Sequence, residues 1–128
     1  MAVNMNIKIL IVDDYDTMRT VLNNLLRQLN FINVEEASDG TEAIEKLNAD
    51  KFDLIISDWN MEPMSGIELL REVRADDNLS EIPFVMITAE IKSENVIAAK
   101  EAGVTNYIIK PFTAETLKTK LVSVLGDF

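Results

Sequence analysis

Leu54-Ile55-Ile56-Ser57, residues 54 to 57, is the stretch whose reading decides the fold. Its apolar side chains are continuous rather than alternating, so a strand here must be covered on both faces, as the interior strands of a parallel sheet are. Similar runs rich in branched residues occur at Ile7 to Val12, Phe84 to Ile87 and Asn106 to Ile109, and a weaker one at Val34 to Ala37 suits an edge. Between the runs the apolar spacing is helical. Met18, Val21, Leu22, Leu25, Leu26 and Leu29 form one stripe, Ile67, Leu70 and Val73 a second, and Leu117, Leu121, Val124 and Leu125 a third. Residues Gly40 to Asn48 and Ser93 to Ala102 supply two further helices with less contrast, and Gly103 stands where a C-cap glycine belongs.

Five strand-helix pairs in 128 residues predict a (βα)5 chain whose right-handed crossovers cover both faces of one parallel sheet. An eight-stranded barrel needs about twice this length. The expected fold is therefore α/β, an open doubly wound sheet of the flavodoxin-like class, whose strand order of 2-1-3-4-5 is taken from that class. With no linker, low-complexity tract or internal repeat, residues 1–128 read as a single domain without an output module.

The composition closes off several chemistries. There is no cysteine and no histidine, so disulfides, thiolate or imidazole metal sites and imidazole-based catalysis are excluded. Any metal must be held by oxygen. With 22 acidic against 12 basic residues the formal charge is −10, which disfavours nucleic acid and anionic lipid as partners. The opening Met1 to Asn6 lacks the basic and apolar regions of a signal peptide, so a cytoplasmic chain is expected.

In open α/β sheets function gathers at the carboxyl edge. The residues following the interior runs are Asp13-Asp14, Asp58, Thr88 and Lys110. Taken singly each has a plain role: Asp14 or Asp16 as a helix cap, Asp58 in a turn, Thr88 as a cap, Lys110 in a solvated loop. Taken together, the strand order sets three carboxylates, a hydroxyl and an ammonium around one cleft. Carboxylates at roughly 4–5 Å repel one another by a few kcal/mol at an effective dielectric near 20, so the cluster calls for cations. Lys110 supplies one charge and a hard divalent ion two more. Mg²⁺ suits a site with few carboxylates, and Asp14-Tyr15-Asp16 lacks the later glycine and glutamate of a Ca²⁺ loop. A carboxylate beside Mg²⁺ can attack phosphorus, and with no glycine-rich phosphate loop the chain reads as a phosphoryl-accepting switch rather than an ATP-dependent kinase.

The ordered set Val12-Asp13-Asp14 with Thr17-Met18-Arg19, Asp58-Trp59-Asn60-Met61, Met64-Ser65-Gly66, Thr88-Ala89-Glu90, Asn106-Tyr107 and Lys110-Pro111-Phe112 resembles the response-regulator receiver family, chemotaxis type, from Ile7 to about Leu125. The resemblance implies that Asp58 accepts the phosphoryl group, and that Asp14, Asp58 and the Asn60 carbonyl bind Mg²⁺ directly while Asp13 acts through water. It implies that Thr88 and Lys110 contact the phosphoryl group, that Tyr107 turns inward in the switch, and that Asn60 and Glu90 tune dephosphorylation. The Lys110-Pro111 bond is expected to be cis. A departure is Glu62-Pro63, where many relatives place proline directly after the Asn60-Met61 pair, which adds an acid near the metal loop.

The implied function is a monomeric two-component switch, phosphorylated by a chemotaxis histidine kinase and read by the flagellar motor switch, with a phosphatase as a possible further partner. A phosphate sink for the same kinase uses identical chemistry. Two rivals stay open: a Mg²⁺-dependent phosphohydrolase with Asp14 as nucleophile, and a flavin carrier. Trp59 stands where it would report metal binding, and Lys92, Lys118 and Lys120 are candidates for a partner surface on the last two helices.

Overall fold

The computed structural model describes residues 6–89 and 93–126. Strands and helices alternate along them: β1 (Lys8–Val12), α1 (Asp16–Gln28), β2 (Asn33–Ala37), α2 (Gly40–Ala49), β3 (Leu54–Asp58), α3 (Gly66–Ala75), β4 (Phe84–Thr88), α4 (Ser93–Ala102), β5 (Asn106–Ile109) and α5 (Ala114–Leu125). The strands form one parallel sheet in the expected order β2-β1-β3-β4-β5. β1 and β3 are neighbours although β2 lies between them in the chain, so the winding reverses there and opens a crevice at the carboxyl edge.

The pleat divides the core in two. Leu10, Val12, Ile55, Phe84 and Met86 pack with Ala43, Leu47, Leu69, Leu70 and Val73 of α2 and α3. Their neighbours Ile9, Ile11, Leu54, Ile56, Val85, Ile87 and Ile108 pack on the other face with Leu22, Leu26, Leu117 and Leu121 of α1 and α5. Covering on both faces is why these strands are continuous apolar runs, and β2, at an edge, is fully buried only at Ala37. Among the described residues no helix is long and apolar enough to cross a membrane.

Local chemistry sets the helix ends. α3 begins with a capping box in which Ser65 accepts from the Glu68 amide at 3.3 Å and Glu68 accepts from the Ser65 amide at 3.2 Å. Asp39 caps α2 at 2.8 Å and Thr113 caps α5 at 3.2 Å. α1 departs from expectation. Its N-cap is Tyr15 with no side-chain bond, and neither Asp14 nor Asp16 caps it. Gly103 ends α4 as expected: at φ +93° it lets its own amide reach Lys100 O at 3.1 Å and the Val104 amide reach Ala99 O at 3.0 Å.

Two strand ends also differ. Asp58 and Thr88, read from sequence as the residues after their runs, are the last residues of β3 and β4, in register with Ile87 and Ile109. A polar side chain ends an apolar pattern, whereas the ladder is made by backbone groups that every non-proline residue carries.

Candidate functional site

The carboxyl ends of the five strands remain tied to their neighbours beyond the regular ladder. The Asp13 amide donates to Ala37 O at 3.1 Å, that of Trp59 to Ile87 O at 2.9 Å, and that of Lys110 to Thr88 O at 2.8 Å. The side chains leaving these points are therefore held by the sheet. One oxygen each of Asp13, Asp14 and Asp58 lies within 4.8 Å of the other two, and Lys110 Nζ donates to Asp58 Oδ1 at 2.8 Å. Asp13 is 1% exposed and Asp58 6%, while Asp14 is open to solvent.

Three features of the chain build this cluster. The Asp13 carboxylate accepts the Tyr15 amide at 2.9 Å, which turns the chain into α1, and Arg19 donates to the Asp13 carbonyl while holding Glu36 at 3.2 Å. Gly66 brings α3 against the end of β3. A Cβ there would lie 2.3 Å from Asp58 O and 2.9 Å from Trp59 Cα, so no other residue fits without displacing the backbone that carries Asp58. Lys110–Pro111 is cis, as is Glu62–Pro63.

The electrostatics leave an excess. Three carboxylates face one ammonium, and burial, aided by the charges of Asp58 and Asp14, pushes the Asp13 carboxyl up to about 6 against the pull of the Tyr15 amide and Lys110. Asp13 Oδ2 is buried and has no hydrogen-bond partner. An orphaned carboxylate oxygen in a cluster with no nitrogen or sulfur donor except one ammonium fits a hard divalent cation, and the small number of acids fits Mg²⁺ rather than Ca²⁺. The residues present thus suit the metal that the sequence implies.

The other expected residues fall into two groups. Asn60 lines an open pocket with Asp14, Trp59, Met61, Glu62 and Ser65. Thr88 and Tyr107 meet in a second cavity of about 20 Å³, room for one water molecule, lined also by Trp59, Met86 and Val96. Trp59 borders both spaces. Glu90 and Lys92 lie outside the described residues. The roles of Arg19 and Gly66 were not assigned from sequence. Gly66 had a readable signal in the Ser65-to-Glu68 capping box, whereas nothing local to Arg19 indicates that it holds a carbonyl.

Residues 9–122 match the response regulator receiver domain family. The chemotaxis protein CheY-3 of Vibrio cholerae is 55% identical over 118 residues, covering 92% of this chain and 91% of that protein. The crystal structure of V. cholerae CheY4 at low pH superposes with a TM-score of 0.88 at 38% identity, covering 94% of this chain and 99% of that one. The receiver domain of the Pseudomonas aeruginosa sensor histidine kinase PA1611, whose structure has a magnesium ion coordinated in its active-site cleft, gives 0.85 at 28% identity over 95% of this chain and 99% of that one.

Proposed function

Because the chain belongs to the response regulator receiver family, and within it to the chemotaxis response regulators, we propose that it is a Mg²⁺-dependent switch phosphorylated on Asp58 by a histidine kinase. It acts as a single receiver unit, residues 1–128, in the cytoplasm, and its output is a changed affinity for the flagellar motor switch. The observation that carries this reading is the 2.8 Å contact of Lys110 with Asp58 inside a carboxylate cluster that holds an orphaned oxygen.

Asp14, Asp58 and the Asn60 carbonyl would hold Mg²⁺, with Asp13 acting through water. The bound ion supplies positive charge against both the carboxylates and the incoming phosphoryl oxygens. Lys110 occupies Oδ1 of Asp58, which leaves the second oxygen to attack. A bond forms from that oxygen to phosphorus as the bond from phosphorus to the donor's imidazole nitrogen, or to the acetate oxygen of acetyl phosphate, breaks. The leaving group departs with the electron pair and takes a proton from solvent. Lys110 then shifts its hydrogen bond to a phosphoryl oxygen, joined by the Thr88 hydroxyl. Tyr107, which lines the small cavity with Thr88 and Trp59, follows Thr88, and the population moves toward the binding-competent form.

Incubation with acetyl phosphate and Mg²⁺, followed by peptide mapping, tests this. The expected product carries the phosphoryl group on Asp58 and is absent from Asp58→Asn. A phosphoryl group on Asp14 would identify a hydrolase of the nucleophilic-aspartate kind and end the proposal. Retention of a motor-switch peptide after beryllofluoride treatment reads the output, and no retention points to a phosphate sink.

A further inference from the structure

Glu62 lines the open pocket of about 360 Å³ with Asp14, Trp59, Asn60, Met61 and Ser65. That lining holds two acids and no base. Its carboxylate, unlike those of Glu36, Glu42 and Glu68, has no hydrogen-bond or ion-pair partner among the described residues. It also stands outside the group of acids whose oxygens come within 4.8 Å of one another, which comprises Asp13, Asp14 and Asp58. Glu62 is thus a free charge at the mouth of the site rather than a ligand in it.

The sum of charges gives that position a consequence. The three acids and Lys110 leave a net −2, which a divalent cation cancels, and Glu62 then adds the charge that remains. Resting on the reading above, we propose that Glu62 is the electrostatic selector of the site: it draws the divalent cation in and holds back phosphoryl donors in proportion to their negative charge. A carboxylate acting through water on a divalent ion in the same pocket changes its affinity by about two- to fourfold at low salt, and acts on a dianion with the opposite sign. The selectivity among donors follows from field alone. A doubly charged acyl phosphate is penalised more than phosphoramidate, whose amino group lowers its net charge, or than a phosphohistidine whose carrier protein offers compensating cations.

Glu62→Gln keeps the shape and removes the charge of an exposed side chain, and Trp59, the only tryptophan, borders the pocket and reports occupancy by fluorescence. In low salt the variant is expected to bind Mg²⁺ about two- to fourfold more weakly and, at saturating Mg²⁺, to be phosphorylated by acetyl phosphate faster by a similar factor, with a smaller gain for phosphoramidate. Glu62→Asp restores both, and about 0.5 M KCl erases both by screening. Effects of the same sign on cation and donor, effects that survive high salt, or no effect in low salt would each overturn the selector. The cation arm needs no phosphorylation, so a chain whose Mg²⁺ affinity depends on residue 62 but which takes up no phosphoryl group overturns the earlier reading alone.

Discussion

The amino and carboxyl edges of the sheet both collect acids, and they treat them in opposite ways. At the amino edge Lys8 pairs with Glu35 at 2.7 Å and with Asp50, Lys46 approaches Glu35 at 3.8 Å, and Asp53 accepts the Lys8 amide at 2.9 Å. Arg74 closes the same edge, donating to the carbonyls of Gly103, Ser80 and Ile82 at 2.9, 3.1 and 2.7 Å. Every one of these groups has a partner within the chain. At the carboxyl edge one lysine stands against three carboxylates and bonds to Asp58 alone, and an Asp13 oxygen is left with no partner. Burying a charge without a partner costs free energy that folding alone would select against, so the unpaired edge is where a ligand belongs. The paired edge is scaffold.

The two edges should then answer mutation with opposite signs. The largest effect is expected at Arg74. Arg74→Ala strips a cation from three carbonyls that join α3, the approach to β4 and the end of α4, and should destabilise the chain by about 2–4 kcal/mol in urea unfolding, since bonds to charged groups contribute about 1.5–3 kcal/mol each and some carbonyls recover water. Phosphorylation of the folded variant should be unchanged. A loss under about 0.5 kcal/mol would show that this edge holds together without its clamp.

Asp13→Asn is the counterpart, and should stabilise. The folded carboxyl titrates at about 6 and the unfolded one near 3.8, so between those values the folded chain holds the extra proton and stability falls as pH rises through the window. The penalty is complete above the folded value. At pH 7 Asp13→Asn should therefore gain about 2–3 kcal/mol in the absence of metal, while Asn keeps an oxygen for the Tyr15 amide. Below about pH 3, under both values, the gain should vanish. A variant less stable than the parent at pH 7 would mean that Asp13 is compensated after all.

What the sequence reveals of each edge follows from the same contrast. The carboxyl edge was readable because its residues fall at one topological position, the end of each apolar run, and because an acid there has no packing purpose. Arg74 was not readable. It sits in the last turn of α3, where a basic residue is an ordinary partner for the helix dipole, and its three carbonyl acceptors come from segments brought together only by the fold. The capping of α1 failed for a related reason. An aspartate before a helix reads as a cap, yet Asp14 joins the acid cluster and Asp16 is already the first residue of α1, which leaves Tyr15, whose side chain makes no capping bond, at that position. The cis bond at Glu62–Pro63 had no local mark either, whereas the one at Lys110–Pro111 came from family resemblance.

Metal supplies the next and smaller test. A cation that binds only the folded chain adds about 1.4 kcal/mol at ten times its dissociation constant. Mg²⁺ should give that increment to the parent chain and equally to Arg74→Ala, whose defect lies at the other edge. Asp13→Asn should gain less at the same concentration because it offers the ion one charge fewer. Equal increments in all three would place the ion away from Asp13.

The smallest effect is expected where charge is paired but exposed. Lys8 carries two ion pairs and lies over the Phe52 ring at 5.2 Å, and its partners raise its pKa above the ordinary lysine value, the hydrogen bond it donates to Asp50 foremost. Water competes for all of these groups, and each pair also costs side-chain freedom. Lys8→Met should lower the urea midpoint by less than Arg74→Ala does, and the difference from the parent should close in high salt, since screening removes from the parent what the mutation removes from the variant. A Lys8→Met loss that matched Arg74→Ala and persisted in salt would mean that the amino edge rests on its ion pairs, and the contrast between a scaffold of partnered carbonyls and a site whose carboxylate oxygens outnumber their partners would need redrawing.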